Sequence, residues 1–505
     1  MSLNSWSQSA AWEIENEWNN NWERLYSEFV AALGESGCGG ANKCINSAAN
    51  PYRARNPDEI KRGVYADCAD LPYVLRGYFA FINKLPFSFT NEIESISGGG
   101  DIRYSPKGNK PVKRRTIQEG ESVARVLSNI SDDINSGQFR MPPQLDVDSS
   151  NVFPDFYSPA IKPGSIRPGT NVYDPNGHVA VVWKVEKNGR IQLMDAHPDN
   201  SISRIVYGKK FVRTRPSAGA GFKNWRPIKE EVATPNKNLP DFSLVQYFGT
   251  HPDSKDWSKG KFYLNGEELD YYDYVRDVMA GGNLKYDPIE EVTSSLQALC
   301  NDIKDRANAV ELAIEAGINR KNHPANLPNN IYGTEGEWES YSSPSRDARL
   351  KTAFVETRDN MARFVKMADE HNPKLVFQGN GEDLKIALRD IYKREALNCT
   401  IEYKSSNSPI KNVSLNLSQI EDRLFKLSFD PYHCIELRWG AESSISCPDG
   451  QNKKEWYAAE QRLRNQIDRP YDVKMGFSLE QLQRKVPGSG VDNPPAYSLK
   501  QFLNL

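Results

Sequence analysis

From Gly177 to His197 the chain alternates apolar and polar residues on either side of Asn188-Gly189, and no other stretch restricts the fold as tightly. One run reads His-Val-Ala-Val-Val-Trp-Lys-Val from residue 178, and the next reads Arg-Ile-Gln-Leu-Met-Asp-Ala-His and ends at 197. Period-two patterning around Asn-Gly predicts a β-hairpin. Residues paired across a hairpin share a face of the sheet. A two-residue loop at 188–189 pairs Ala180 with His197 and Val182 with Asp195, whereas a four-residue loop over 186–189 sets His197 opposite His178. In both registers His178, Asp195 and His197 project to one side; only a three-residue bulged loop would break that arrangement. Val179, Val181, Trp183 and Val185 make the other face, which is then core. Solvent exposure alone does not account for a His/Asp/His face on so apolar a hairpin.

The cysteines supply a partner for these histidines. There are seven of them, and no two have the close spacing of a zinc ligand pair. Cys38 and Cys44 lie in a Gly-rich loop, and Cys434 and Cys447 flank a predicted hairpin. Both spacings suit local disulfides and leave Cys300 with Cys399 as a third pair. Cys68 is the remainder. The plainer alternative is a set of scattered buried thiols. Bridges imply an oxidising compartment, periplasmic or secreted. Met1-Ser2-Leu3 reads as a cloning remnant, and the polar, Trp-rich residues after it lack the order of a signal peptide. Export therefore requires that such a segment was removed; otherwise the protein is cytosolic.

Leu71, Val74, Leu75, Tyr78, Phe79 and Ile82 share one face of a helix predicted from Ala69 to Asn83. Pro72 restricts where that helix starts, because proline fits only in a first turn. With Ala69 at the first helical position, Cys68 is the N-cap, where the helix dipole and unpaired N–H groups favour thiolate. A thiolate beside an imidazole is a nucleophile for acyl transfer. Without the imidazole it is simply a buried cysteine at a helix start.

A Trp-rich stripe (Trp18, Trp22, Leu25, Tyr26, Phe29, Leu33) predicts a helix over 12–33, with Gly34 as its stop. Residues 91–165, rich in Gly, Ser, Pro and charge, read as an insertion within a first domain over 1–228. A connector over 229–287 leads to an α+β region over 288–505. Its predicted helices lie near 288–317, 345–371, 382–396 and 454–468, and its strands at 399–404, 411–417 and 422–429.

Net charge is −2 and the pI about 6.4. Such balance argues against a nucleic-acid or anionic-membrane partner, which needs a basic field. No apolar run reaches the length of a membrane span. GxSxG, HExxH and GxxxxGK[ST] are absent, and Gly219-Ala-Gly221 lacks the third glycine of a dinucleotide site. No cofactor and no metal are expected. The basic run Lys107, Lys110, Lys113, Arg114 and Arg115 reads as a solvated loop or an anionic-polymer contact. The carboxylates around Trp338, from Thr334 to Glu339, read as an exposed loop or, less simply, a glycosidase site.

A cysteine opening an amphipathic helix, followed by Gly177-His178-Val179-Ala180-Val181-Val182 at the start of a hairpin, resembles the papain-like superfamily. The hairpin is closest to NlpC-type cell-wall peptidases and CHAP amidases. The Cys68 helix, ending in Lys84-Leu85-Pro86, is closer to transglutaminase-like proteins. The likeness covers about residues 60–228. Asp67-Cys68-Ala69-Asp70 departs from the usual Asp-Cys-Ser-Gly of the cell-wall enzymes, and the interval to His178 is long for the family. The resemblance implies a Cys-bearing helix packed on an antiparallel sheet, within an α+β fold. It also implies a thiol hydrolase of peptide or amide bonds, with peptidoglycan stem peptides as the leading substrate. Cys68 is then the nucleophile, His178 the base, and Asp195 or His197 the third member. A transglutaminase-like acyltransferase and an inactive envelope-binding protein are the competing readings.

Overall fold

The computed structural model describes residues 10–146, 152–213, 215–228, 239–250, 260–329, 335–341, 343–442, 447–467 and 475–505. Two compact units divide the chain, Met1–Leu284 and Lys285–Leu505. Both are α+β, and among the described residues every sheet is antiparallel.

In the first unit, helix α1 (Asn20–Glu35) begins later than predicted, because the Asn19 side chain caps it by accepting from the Asn21 and Trp22 N–H groups. The residues before it are held in a different way. Trp12 is fully buried and donates from Nε1 to Leu85 O at 3.0 Å, and Asn16 N–H donates to Lys84 O. Gly34 lies inside the last turn rather than stopping the helix, since a Cβ there would sit 2.3 Å from the Trp183 ring. Short helices α2 (Ala41–Ile45) and α3 (Asp58–Arg62) lead to α4 (Asp70–Ile82), the Cys68 helix. Arg76 of α4 is buried, paired with Glu23 and stacked 3.5 Å over the Trp18 ring.

The described residues of the 91–165 stretch are woven into this unit. Strands β1 (Ser88–Ser95) and β2 (Asn109–Thr116) form a hairpin, and α5 (Val123–Asp133) buries Val123, Val126, Leu127 and Ile130 in the same apolar cluster as α1 and α4. Asp155 fastens the pieces together. It accepts from Tyr73 Oη at 2.8 Å and from the Thr90 N–H, and pairs with Arg114 at 2.8 Å. The basic run is likewise matched: Lys110 pairs with Glu94, Lys113 with Glu92 and Arg115 with Glu121.

The main sheet has six strands in the order β3-β8-β4-β5-β6-β7. They are β3 (Phe156–Tyr157), β4 (Asn171–Asp174), β5 (His178–Val185), β6 (Ile191–Ala196), β7 (Ile202–Val206) and β8 (Gly221–Trp225). Both faces of β5 are buried, not one: Val179, Val181 and Trp183 pack with the α1/α4 cluster, and Ala180, Val182 and Val185 with a second cluster. That second cluster includes residues read as a connector. Helix α6 (Val245–Phe248), the hairpin β9 (Phe262–Leu264) and β10 (Glu267–Leu269), and helix α7 (Tyr271–Met279) supply Phe262, Tyr271, Tyr274 and Val275 to it, with Val245 packed against it.

The second unit packs α8 (Pro288–Glu315), α9 (Gly336–Ser340), α10 (Ser343–Asp369) and α11 (Gly381–Asn398), followed by a hairpin of β11 (Thr400–Lys404) and β12 (Asn412–Asn416). The strand predicted at 422–429 does not form. An Asn416/Gln419 capping box starts helix α12 (Leu417–Arg423) at the end of β12. Helix α13 (Ile435–Arg438) replaces the hairpin predicted between Cys434 and Cys447; α14 (Gln451–Ala459) and α15 (Gln461–Asn465) follow. Three disulfides join Cys38 to Cys44, Cys300 to Cys399 and Cys434 to Cys447, and Cys68 is the free thiol. Such bridges suit an oxidising compartment. Among the described residues no helix is long and apolar enough to cross a membrane.

Candidate active site

The cap of the Cys68 helix is built by Asp67, not by Cys68. Asp67 Oδ1 accepts from the N–H groups of Ala69 and Asp70 at 2.9 and 3.1 Å, and Asp70 Oδ2 accepts from Asp67 N–H at 3.2 Å. This reciprocal pair is a capping box that places Cys68 in the first turn. Ala69 already has helical backbone angles, and the Leu71 N–H closes the turn on Asp67 O at 3.0 Å. No hydrogen bond from the Cys68 N–H occurs among the described residues.

The thiol lies against the entry to β5, with Sγ 3.9 Å from Gly177 O. Gly177 is required there twice over. Its φ is +87°, and a Cβ would come within 2.7 Å of Tyr104 Oη.

His178, Asp195 and His197 do share a face, through a register that hairpin counting alone did not supply. The loop has three residues, since Glu186 N–H bonds Arg190 O at 2.8 Å and Val185 pairs with Ile191. On its own this register would put Asp195 on the opposite face from His178. A bulge at Trp183 shifts the pairing by one, to Val182 with Leu193 and Val181 with Met194, and so restores the shared face. Because of the bulge, Trp183 and Val185 fall on opposite faces rather than on one.

Asp195 lies between the two imidazoles. Its Oδ1 is 2.9 Å from His178 Nε2 and 3.3 Å from His197 Nε2, and the two rings lie 5.9 Å apart between centroids. The 2.9 Å contact falls short of hydrogen-bond alignment. His197 Nε2 is bonded to Ser203 Oγ at 2.8 Å. Asp195 is almost fully buried and His178 is 12 % exposed. With Nε2 turned to Asp195, Nδ1 is the ring atom left to exchange a proton. No hydrogen bond joins His178 to Cys68 among the described residues.

Electrostatics here oppose the thiolate expected from the helix dipole. Burial pushes the Cys68 thiol well up, and the carboxylates of Asp67, Asp195 and Asp70 push the same way, against one hydrogen bond from the Val179 N–H. A helix terminus contributes ~0.3–1 kcal/mol, too little to offset desolvation and three acids. Burial and Asp67 likewise hold the Asp70 carboxyl above the ordinary carboxylate range. Of the supporting residues, Asp67 was legible as the first residue of an Asp-x-x-Asp cap. Ser203 was not, because its place opposite Asp195 depends on the β6/β7 register.

The remaining sequence candidates lie elsewhere. Gly221 opens β8 with Gly219 two residues before it, and Trp338 is buried in the second unit. Glu337 pairs with Lys321, and Thr334 lies outside the described residues. The chain matches no protein-family model, no curated protein and no solved structure.

Proposed function

We propose that the protein is a papain-like thiol hydrolase acting on peptide or amide bonds, with cell-wall stem peptides as the leading substrate. One observation carries the reading: the carbonyl that precedes His178 lies 3.9 Å from the free thiol, and His178 itself is 2.9 Å from a buried Asp195. In this reading His178 takes the Cys68 proton at Nδ1 as the sulfur attacks the substrate carbonyl. It then returns that proton to the departing amine, leaving a thioester. Water, deprotonated by His178, resolves the thioester to a carboxylic acid and restores the thiol. Asp195 orients the imidazole and stabilises its charged form, while His197 steadies Asp195 from the far side. The unengaged Cys68 N–H is the oxyanion donor. Three disulfides support a periplasmic or secreted setting.

A second reading, a papain-like binding module without turnover, is favoured by the raised thiol and by the missing Cys68–His178 hydrogen bond. Hydrolysis of stem peptides and of a peptide library separates the two. Cys68→Ala and His178→Ala abolish turnover, Asp195→Asn lowers it by about 10²-fold or more, and His197→Gln lowers it less. Unchanged hydrolysis by Cys68→Ala ends the enzyme reading. Incorporation of an added amine into a glutamine substrate marks acyl transfer instead.

A further inference from the structure

The second unit contains a buried centre in which an imidazole and two carboxylates face one another, with the guanidinium groups of Arg438 and Arg464 close by. We propose that His323, Asp430 and Glu460 form a divalent transition-metal site, independent of the Cys68 chemistry. One ligand atom from each lies within 4.8 Å of the other two. All three side chains are buried from solvent.

Donor and acceptor counting makes the case. His323 Nδ1 is 2.7 Å from Pro324 O, and a carbonyl only accepts, so the neutral ring carries its hydrogen on Nδ1. The Nε2 lone pair then faces Asp430 Oδ2 at 2.6 Å. Two acceptors at that distance require a positive charge between them. Glu460 adds a third acceptor. Among the described residues neither of its oxygens accepts a hydrogen bond; Arg464 Nη1 stands 3.6 Å away, and Arg464 and Arg438 both act on it electrostatically. A buried carboxylate left in this state is strongly disfavoured.

The surroundings resemble the outer shell of a metal site, in which the second nitrogen of a ligating histidine donates to a carbonyl. Trp456 stacks on the His323 ring at 4.0 Å between centroids, Asp430 Oδ1 accepts from the Tyr432 N–H at 2.8 Å, and the Asp430 N–H donates to Ser428 Oγ. Buried Arg438 and Arg464 add positive charge beside the site; counting its three ligands alone, one dication among an imidazole and two carboxylates gives a neutral centre. Two protons do the same, as imidazolium, carboxylate and carboxylic acid, and that proton-filled state is the rival. One nitrogen and two oxygen donors suit Zn²⁺ or Mn²⁺. Donors on one tetrahedral zinc stand ~3.4 Å apart, so seating the ion opens the 2.6 Å pair slightly. The spacing of residues 323, 430 and 460 matches no sequence motif, which is why reading the sequence led to the expectation of no metal.

The full chain, stripped with chelator and carrying Cys68→Ala so that the free thiol does not compete, is titrated with Zn²⁺ by calorimetry. Metal content is measured after dialysis. One ion per chain is expected, with affinity weakened at least about tenfold by Glu460→Gln and by His323→Gln. Circular dichroism shows whether each variant folds, and the two variants probe different ligands. A folded parent that retains no stoichiometric zinc, the proton-filled outcome, overturns the site. Equal affinity in either folded variant overturns it too, by placing the ion elsewhere.

Discussion

At residue 68 two effects compete, and their magnitudes decide the resting state of the thiol. Desolvation and the carboxylates of Asp67, Asp195 and Asp70 outweigh a first-turn position. Alkylation by iodoacetamide should therefore accelerate only at a pH above that of an ordinary cysteine, ~8.5. A rate already at its plateau by pH 7 would contradict this balance. Asp70 makes a stability prediction. Because burial raises its folded-state value, the protonated form is favoured by folding. The resulting stability is fully present below about pH 4 and is lost as pH rises through the raised value. Asp70→Asn imitates the protonated carboxyl and keeps an acceptor for Asp67 N–H. It should flatten the pH dependence and gain on the order of 1–3 kcal/mol at pH 8, read from urea midpoints at pH 4 and pH 8. A loss at both pH values would show that the cap needs the charge.

Among the elements, α1 and β5 show how a local rule yields to packing. Alanine normally gains ~1 kcal/mol over glycine inside a helix. At Gly34, however, a Cβ would meet Trp183 Cγ, Cβ and Cδ2 at 2.3–2.4 Å, the fixed base of the indole rather than a flexible tip. Gly34→Ala should therefore destabilise by about 1–3 kcal/mol net, seen as a lowered thermal midpoint. An unchanged or higher midpoint would mean that α1 can move off the sheet. The hairpin teaches the same lesson through register. Alternation and Asn188-Gly189 revealed both strands, and the shared face of the three polar residues was expected from a two- or four-residue loop. Yet the loop has three residues, and only the bulge at Trp183 keeps His178 beside Asp195. A bulge responds to what packs on both sheet faces, here α1 on one side and Ala180 and Val182 in the second cluster on the other. Nothing within the hairpin sequence records that.

On the scale of the whole molecule, the disulfides differ in what they restrain. Cys300–Cys399 closes a span of 99 residues and Cys38–Cys44 one of six. Loop-closure entropy gives ~4–5 kcal/mol for the long bridge and ~2 kcal/mol for the short one. Paired Cys300→Ala and Cys399→Ala substitutions should lower the denaturant midpoint of the second unit by more than Cys38→Ala with Cys44→Ala lowers that of the first. The opposite order would point to residual structure in the unfolded chain. By itself the sequence determined the α+β class, the Cys68 helix, the hairpin and an odd cysteine count that leaves one thiol over if the other six are bridged. These rest on periodicity, turn chemistry and counting, which act over a few residues or need no geometry. Only the tertiary structure decided that residues 91–165 belong to the core through Asp155, that Asp195 is the neighbour of His178, and that burial keeps Cys68 a thiol. It alone gathered His323, Asp430 and Glu460. Each of these depends on residues far apart in the chain meeting where water is excluded, and there desolvation, not local propensity, sets the energy.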